Sequence, residues 1–563
     1  MLVLARNARV TLAYVVVLLA GSAYGAVKDD AGEPAHVPKR FERRPQIRVL
    51  PRKDTRKAPR SQPQRTWQDE VSFVLKGVDF AGMTRYRPDD VRYLYNPLLN
   101  REVGLRDLRQ LAFGLTARYR KDGYLLSYAA VPPQTIEEGR ITVQVVEAGI
   151  DGLVVTGANR ARRSRPVALA NKIAEETPLH VSTLERYSLL ADDLPGVNAH
   201  ATLLPSHTIP GMWNLVMELD ERKGDLLLRI DNRGTRYSGP VQLHGAASVN
   251  SWLRPYDRTR LYGVTAESPE ELQLVSLHHD TPLGLEGGRL RLGGTASWQE
   301  PGHLLGDLET DSESTRWHPQ FYHPVVRRRH ATLSARVVFD AFDIETEQLG
   351  TQVSRERLRS LRLGSTLDWA DEMAGINVFE AELSRGLGIL NALENDAANR
   401  SRARGRNDYT KISLYASRLQ RLGGAWTLHL HIAGQYAFDH LLASEEFSYG
   451  GVPFGRAHNS SEESGDHGVA ANAEIQFSGI PTPEWVERWQ VFGYLGAGRV
   501  WRRDDATREA DETLADAGLG ARLWMGKAYS VTLETAKPLT GSVAAEEKDG
   551  YDWRFFFAAE ARF

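Results

Sequence analysis

Several places in this 563-residue chain carry side chains able to do chemistry. His278, His279 and Asp280 run consecutively and have metal-binding types, but successive strand residues point to opposite faces, so the run does not present three converging ligands. Glu445-Glu446 and Asp504-Asp505 offer paired carboxylates of the kind used in acid–base catalysis. Adjacent acids in loops are usually solvated, and no nucleophile motif or phosphate-cradling glycine loop accompanies them. The chain has no cysteine, which removes disulfides, thiolate catalysis and cysteine metal sites. Neither an enzyme nor a metal or cofactor site is expected. A net charge of -2 and a pI of 6.8 lack the basic excess of a nucleic-acid binder, so that class drops out as well. Arg456, in a glycine-rich stretch, reads from the residues alone as a solvated loop arginine.

The elements around these residues place them. Arg6 and Arg9 precede an apolar run from Val10 to Ala20 and small residues including Ala23 and Gly25, the layout of a secretory signal peptide cleaved after Gly25. That run is about half of the roughly 20 residues needed to span a bilayer as a helix. No later segment is continuously apolar over such a length, so a membrane location leaves only a closed β-barrel, and with it the outer membrane. Between Val27 and Thr66, Pro34, Pro38, Pro45, Pro51, Pro59 and Pro63 interrupt any helix and no core-forming pattern is present. This stretch reads as a linker.

Two stretches then repeat the order strand, helix, helix, strand, strand. In the first, Phe73, Leu75 and Val78 lie in a short strand, Pro88 with Asp89 and Asp90 opens a helix, and Leu105, Leu108, Leu111, Leu115 and Tyr119 share one face of another. Ile141, Val143 and Val145 alternate in its last strand. In the second, Leu153 and Val155 begin a strand, helices are predicted over Val167 to Glu176 and around Leu184 to Leu194, and Trp213, Leu215, Met217 and Leu219 alternate with polar residues. Each unit is about 75 residues, enough for a modest core.

From about Gly224 onward the pattern becomes alternating strands, clearest over Leu358 to Trp369, Thr410 to Leu419, Trp426 to Tyr436 and Tyr551 to Phe563. At roughly 20 residues per strand and connection the stretch holds about 16 strands, an even number as bacterial barrels require. In the last strand Trp553, Phe555, Phe557, Ala559, Ala561 and Phe563 share one face, and Asp552, Arg554, Glu560 and Arg562 the other. One face suits lipid and the other a polar lumen.

The terminal strand, down to Phe563, resembles the signal by which the barrel assembly machinery recognises its substrates. From about Val71 to Phe563 the chain resembles the two-partner secretion transporters, the TpsB or haemolysin secretion and activation family, in the superfamily that includes BamA. Asp231-Asn232-Arg233-Gly234 with Tyr237, Gly239 and Pro240 resembles the family's opening barrel strand, and His279 to Gly284 a later strand and turn. The fullest match is Gln435, Leu441, Ser444, Glu445 and Phe447, then Gly450-Gly451, Phe454-Gly455-Arg456 and Ser464-Gly465-Asp466-His467-Gly468. In the family this region is the long sixth extracellular loop, folded into the lumen, with an arginine at its tip that matches Arg456. The carboxylate that receives the arginine is expected on a wall motif resembling Phe492 to Trp501, which includes Gly498. Here the tip reads Arg456-Ala457-His458 and the wall position reads Gly496, so Arg456 must pair elsewhere, bond to carbonyls or stay hydrated.

Beside the signal peptide over 1–25 and the linker over 26–66 read from the residues, the resemblance implies POTRA domains over 67–148 and 149–222 and an outer-membrane barrel over 223–563. It implies a transporter whose periplasmic POTRA domains recognise an unfolded partner protein and pass it through the barrel, with loop 6 and the linker gating the resting pore. The partners expected are a secreted protein, outer-membrane lipid and, during biogenesis, the assembly machinery. An assembly factor of the BamA type and a diffusion channel are the competing readings, and two POTRA units favour the transporter.

Overall fold

The computed structural model describes residues 34–36, 40, 72–157, 159, 162–479, 484–503, 511–540, 543 and 552–563. The signal peptide expected over 1–25, most of the linker over 26–66, and Asp504 and Asp505 lie outside the described residues.

The first α+β unit packs the helix Leu105–Lys121 on a three-stranded sheet in which Arg140–Val146 lies between Gly77–Ala81 and Tyr128–Ala130. Leu108, Leu111, Leu115 and Tyr119, spaced to share one helix face, meet Ile141, Val143 and Val145 in a closed core. The expected single strand through Phe73, Leu75 and Val78 is two strands, Ser72–Val74 and Gly77–Ala81, in different sheets. The chain turns at Leu75 and Lys76, whose amides donate to the carbonyls of Arg101 (3.0 Å) and Gly139 (2.8 Å), and Leu75 is buried in the turn.

Glu147 closes this unit. It accepts hydrogen bonds from the amides of Thr84 (2.8 Å) and Arg85 (2.7 Å) and from the Tyr119 hydroxyl (2.6 Å). Burial acts to raise its pKa, but these donors outweigh burial and hold the carboxyl below its ordinary 4.5. Its stabilising contribution is therefore complete above 4.5 and lost as the pH falls through the lower folded value. On acidification below 4.5 the thermal unfolding of the wild-type periplasmic unit is expected to fall more steeply than that of Glu147→Gln.

The second unit sets the helices Ser164–Ala174 and Val181–Asp192 against a sheet in which Trp213–Glu221 lies between Ile150–Thr156 and Val197–Pro205. Its first helix begins at Ser164, three residues before the predicted start, because Pro166 is tolerated in an opening turn.

Sixteen antiparallel strands, from Gly224–Asp231 to Arg554–Arg562, close into a barrel. One of them is interrupted at His318 and Pro319: its halves Asp311–Trp317 and Gln320–Arg328 both lie between Gly288–Gln299 and Ala331–Gln348. The alternation is inverted relative to a soluble sheet. Along Val486–Trp501, Val491 and Leu495 stand exposed on the outside while Gln490, Phe492 and Tyr494 are buried inward, and Ser276, Ser297, Asp340, Glu474 and Asp516 are buried on other strands. Exposed aromatics mark both rims, with Trp252, Trp426, Trp485 and Phe563 at one end and Trp298, Tyr436 and Trp553 at the other. No described helix is long and apolar enough to cross a membrane.

Turns at the lower rim hold the second α+β unit. Tyr256 is fully buried in that unit's core, its hydroxyl donating to Glu221 at 3.2 Å, and Leu285 packs beside it. Arg327 reaches Asp193 through Nε (2.8 Å) and Nη2 (3.0 Å), and Arg186 pairs with Glu286 at 3.0 Å.

Candidate functional site

The loop between the strands Trp426–Ala437 and His467–Gly479 does not extend into solvent. Two of its short segments, Phe447–Tyr449 and Glu463–Gly465, pair as a hairpin, and the chain between them lies inside the barrel. Phe454 packs with Tyr449, Ala470, Val500 and Leu514 on the inner wall. Gly450, Gly451 and Gly455 all have positive φ, and at Gly455 (φ 84°) a Cβ would lie 2.5 Å from the Tyr449 ring, so glycine is required at that bend.

Arg456 is at the bottom of this loop, 5% exposed, and its Nη1 lies 2.6 Å from Glu474 Oε2 and 3.8 Å from Glu534. Its guanidinium stands 4.4 Å from the centre of the Tyr494 ring and 5.9 Å from that of Phe492. Glu474 also receives Arg522 (2.8 and 3.1 Å), so one acid serves two cations. Arg456 is thus neither solvated nor unpaired. Its acids come from His467–Gly479 and Tyr529–Thr540, on either side of the pair of strands around the expected wall motif.

The absence of a carboxylate at Gly496 has a geometric counterpart. Gly496 pairs in register with Asp516 on the neighbouring strand, and a Cβ at Gly496 would lie 2.6 Å from Asp516 Oδ1. Asp516 occupies the space that a side chain at 496 would enter. It accepts the Tyr449 hydroxyl (2.9 Å) and the Ala457 amide (3.2 Å), so a wall aspartate does hold the loop tip, through the backbone and a tyrosine rather than through the arginine. Gly498 gives Tyr449 its seat, since a Cβ there would meet the ring at 2.1 Å. The variant Gly498→Val is expected to expel Tyr449, break its bond to Asp516, and expose the Arg456 peptide bond to trypsin.

The root of the loop is pinned separately. Glu445 and Glu446, expected to be solvated, are buried: Glu445 pairs with Arg362 (2.6 Å) and Lys411 (2.7 Å), and Glu446 with Arg402 (2.9 Å). They escape hydration because the loop bends back against two strands, carrying Arg362 and Lys411, and a neighbouring loop, carrying Arg402. Asp466 accepts Arg402 through both oxygens (2.8 and 3.0 Å) and the amides of Leu441 (2.7 Å) and Arg503 (2.9 Å). At Gly465 the backbone passes so close to the neighbouring strand that a Cβ would lie 2.7 Å from the Trp501 carbonyl oxygen. The described part of the linker reaches the same end of the lumen: Ala35 packs with Phe342, Leu358 and Tyr409, His36 Nε2 donates to the Ala443 carbonyl (2.8 Å), and Arg40 donates to Ser238 (2.9 Å).

The remaining candidates separate. His278 faces His318 at 2.8 Å, His279 faces Thr259 at 3.0 Å, and Asp280 forms an ion pair with Arg291 at 2.7 Å. In the last strand Trp553, Phe555, Phe557 and Phe563 are exposed outward, while Phe556 is buried inward. Glu474, Asp516, Glu534 and Tyr449 are the site residues that sequence reasoning passed over. Charged residues at inward-facing positions of otherwise apolar or small-residue strands were the available signal.

Paired α+β units beneath a closed barrel with a polar, loop-filled lumen define an outer-membrane POTRA–barrel protein. Residues 217–523 match the haemolysin secretion/activation protein ShlB/FhaC/HecB family, residues 73–148 match its ShlB-type POTRA domain, and the chain belongs to that family. It is an outer-membrane transporter that exports a partner protein, with its POTRA domains in the periplasm. The heme/hemopexin transporter protein HuxB of Haemophilus influenzae is 23% identical over 494 residues, covering 86% of each chain. CdiB from Escherichia coli has the same fold (TM-score 0.73, 18% identity, 97% of each chain), as does CdiB from Acinetobacter baumannii (TM-score 0.66, 14% identity, 96% of this chain and 99% of that one). BamA from Haemophilus ducreyi lacking POTRA domains 1–3 is a more distant match (TM-score 0.50, 11% identity, 87% of this chain and 100% of that one).

Proposed function

We propose that the POTRA domains, over 67–148 and 149–222, capture the partner unfolded, and that loop 6 closes the barrel over 223–563 until the partner displaces it. The observation that carries this reading is Arg456, buried in the lumen on Glu474 at 2.6 Å. A matched ion pair holds the loop in one pose, and entry of water and cargo into the lumen weakens it by restoring hydration to both charges.

Capture has surfaces available to it. Gly77–Ala81 and Tyr128–Ala130 are the edges of the first sheet, Ile150–Thr156 and Val197–Pro205 those of the second, and an extended chain can add to such an edge through backbone hydrogen bonds. Phe113 and Tyr93, both exposed, offer apolar contact beside the first. Leu243, Leu277 and Leu363 face lipid, and the terminal aromatic strand is the part read by the assembly machinery during insertion. No nucleotide motif is present in the sequence, and folding of the emerged partner outside the cell supplies the direction of transport.

Deleting the gene and comparing surface and secreted proteins tests the reading. Loss of one large polypeptide is expected. An unchanged set of proteins sinks the proposal, and a general depletion of barrels replaces it with an assembly factor.

A further inference from the structure

The first and last strands of the barrel meet along a short seam. Five register pairs, Ala558–Asp231 to Arg562–Leu227, join them, whereas eight join the first strand to its other neighbour, Gln242–Asn250. Above Ala558–Asp231 the ladder keeps one more backbone bond, from the Asn232 amide to the Phe557 carbonyl (3.3 Å), and then a side chain takes over. Asn232 Nδ2 donates to the Phe555 carbonyl (2.9 Å) and Asn232 Oδ1 accepts the Phe557 amide (2.7 Å), so one carboxamide supplies the donor and acceptor of a backbone peptide.

Next to this point, one arginine from each side of the seam turns into the lumen, and both grip the tip of loop 6. Arg233, following the first strand, donates through Nη1 to the Arg456 carbonyl at 3.1 Å. Arg554, opening the last strand, donates through Nη1 to the Ala457 carbonyl at 2.8 Å and through Nη2 to Asn459 Oδ1 at 2.9 Å. The two guanidinium groups share the Phe556 ring, at 3.9 and 5.2 Å from its centre, and Arg233 also pairs with Glu534 at 2.8 Å. Consecutive carbonyls of the loop tip therefore bond to opposite sides of the shortest joint in the wall. They also place negative dipole ends between two cations that sit over one ring and repel each other.

We propose that the tip of loop 6 is a clasp across the barrel seam, so that withdrawing the loop from the lumen also loosens the joint between the first and last strands. Pore opening and wall opening are then one event: the loop that leaves the channel removes three hydrogen bonds bridging the seam and leaves two like charges beside it. The clasp itself concerns the resting protein without cargo, and only its link to pore opening rests on the gating role proposed for loop 6.

Hydrogen exchange on the full-length protein in lipid nanodiscs tests it, with the doubly substituted Arg233→Gln/Arg554→Gln protein compared with the wild type. With the three bonds lost, the amides of Ala559 and Ala561, which alternate in step with those of Phe557 and Phe563 and so point across the seam, are expected to exchange at least about tenfold faster, while those of Gln242–Asn250 and Arg258–Ala266, paired on both sides, keep their rates. Unchanged exchange at the seam, with faster exchange over the loop tip 454–459, overturns the proposal. If the double variant does not assemble, Arg233→Lys and Arg554→Lys, which keep the charge and lose the fork, take its place. Arg554→Lys gives up one of two bonds and is expected to raise seam exchange by a smaller factor; no rise in either variant overturns the proposal equally.

Discussion

Replacing Glu474 with glutamine is expected to free the tip of loop 6 and turn a barrel that rests closed into one that conducts steadily. Glutamine preserves the shape of the side chain and its bond to Gln476 but removes the charge that Arg456 and Arg522 share. Two guanidinium groups then face each other in a lumen where Glu534 lies 3.8 Å from Arg456, already engaged by Arg233 at 2.8 Å. Breaking a buried pair by removing one partner costs roughly 3–5 kcal/mol, which corresponds to a change of about a hundredfold or more in the balance between loop in and loop out. Single-channel recording in planar bilayers reads this directly as a large rise in open fraction. A closed channel like the wild type would mean that Asp516, through Tyr449 and the Ala457 amide, holds the tip without help from the arginine. Arg456→Lys is the graded companion: Arg456 meets Glu474 through a single nitrogen, which an ammonium group can replace, so this variant is expected to open less often than Glu474→Gln.

The second large effect is expected at the root of the loop. Glu445→Gln removes the charge that balances Arg362 at 2.6 Å and Lys411 at 2.7 Å, the lysine buried in the wall and the arginine partly so. Arg362 keeps the Asp340 carboxylate at 2.8 Å, whereas Lys411 keeps the neutral carbonyl of residue 445 and the Tyr409 ring at 5.9 Å, so the lysine carries most of the penalty, roughly 3–5 kcal/mol. The strain is relieved by lifting the root of loop 6 away from the wall. The loop between the strands Gly375–Gly386 and Thr410–Gly423 then loses support, because Arg402 within it is tied to Glu446 and Asp466 on loop 6. Trypsin applied to intact cells is expected to cut after Arg402, Arg404 or Arg406 in the variant and to leave the wild type whole. Resistance equal to the wild type would show that Arg402 and Asp466 alone secure this end. Root and tip are separate anchors, so combining Glu445→Gln with Glu474→Gln is expected to add their effects.

Much of the fold was readable along the chain because it is written in local periods. The face shared by Leu108, Leu111, Leu115 and Tyr119 lies within one helix, and the alternation from Trp553 to Phe563 lies within one strand, so neighbours in sequence were enough to orient both. The position of Arg456 in a glycine-rich loop was readable in the same way. Its partner was not, and the reason is register. Whether a carboxylate stands at 496 or opposite it at 516 depends on how two strands are staggered around the barrel, and that stagger is not a property of either strand alone. The same reason hid Glu445 and Glu446, whose burial follows from the loop bending back against Arg362, Lys411 and Arg402, which are distant in sequence.

By itself, then, the amino-acid sequence determined the two α+β units and the inside-out barrel, since each follows from hydrophobic period and turn residues over short spans, and the place of the arginine on the sixth loop followed from the family resemblance. Only the tertiary structure decided that Glu474 holds the arginine, that Asp516 holds the loop tip, and that Arg233 and Arg554 join this tip to the seam. Those contacts exist because barrel closure brings the two ends of a 340-residue sheet, from Gly224 to Phe563, side by side around one loop, a distance that no local pattern spans.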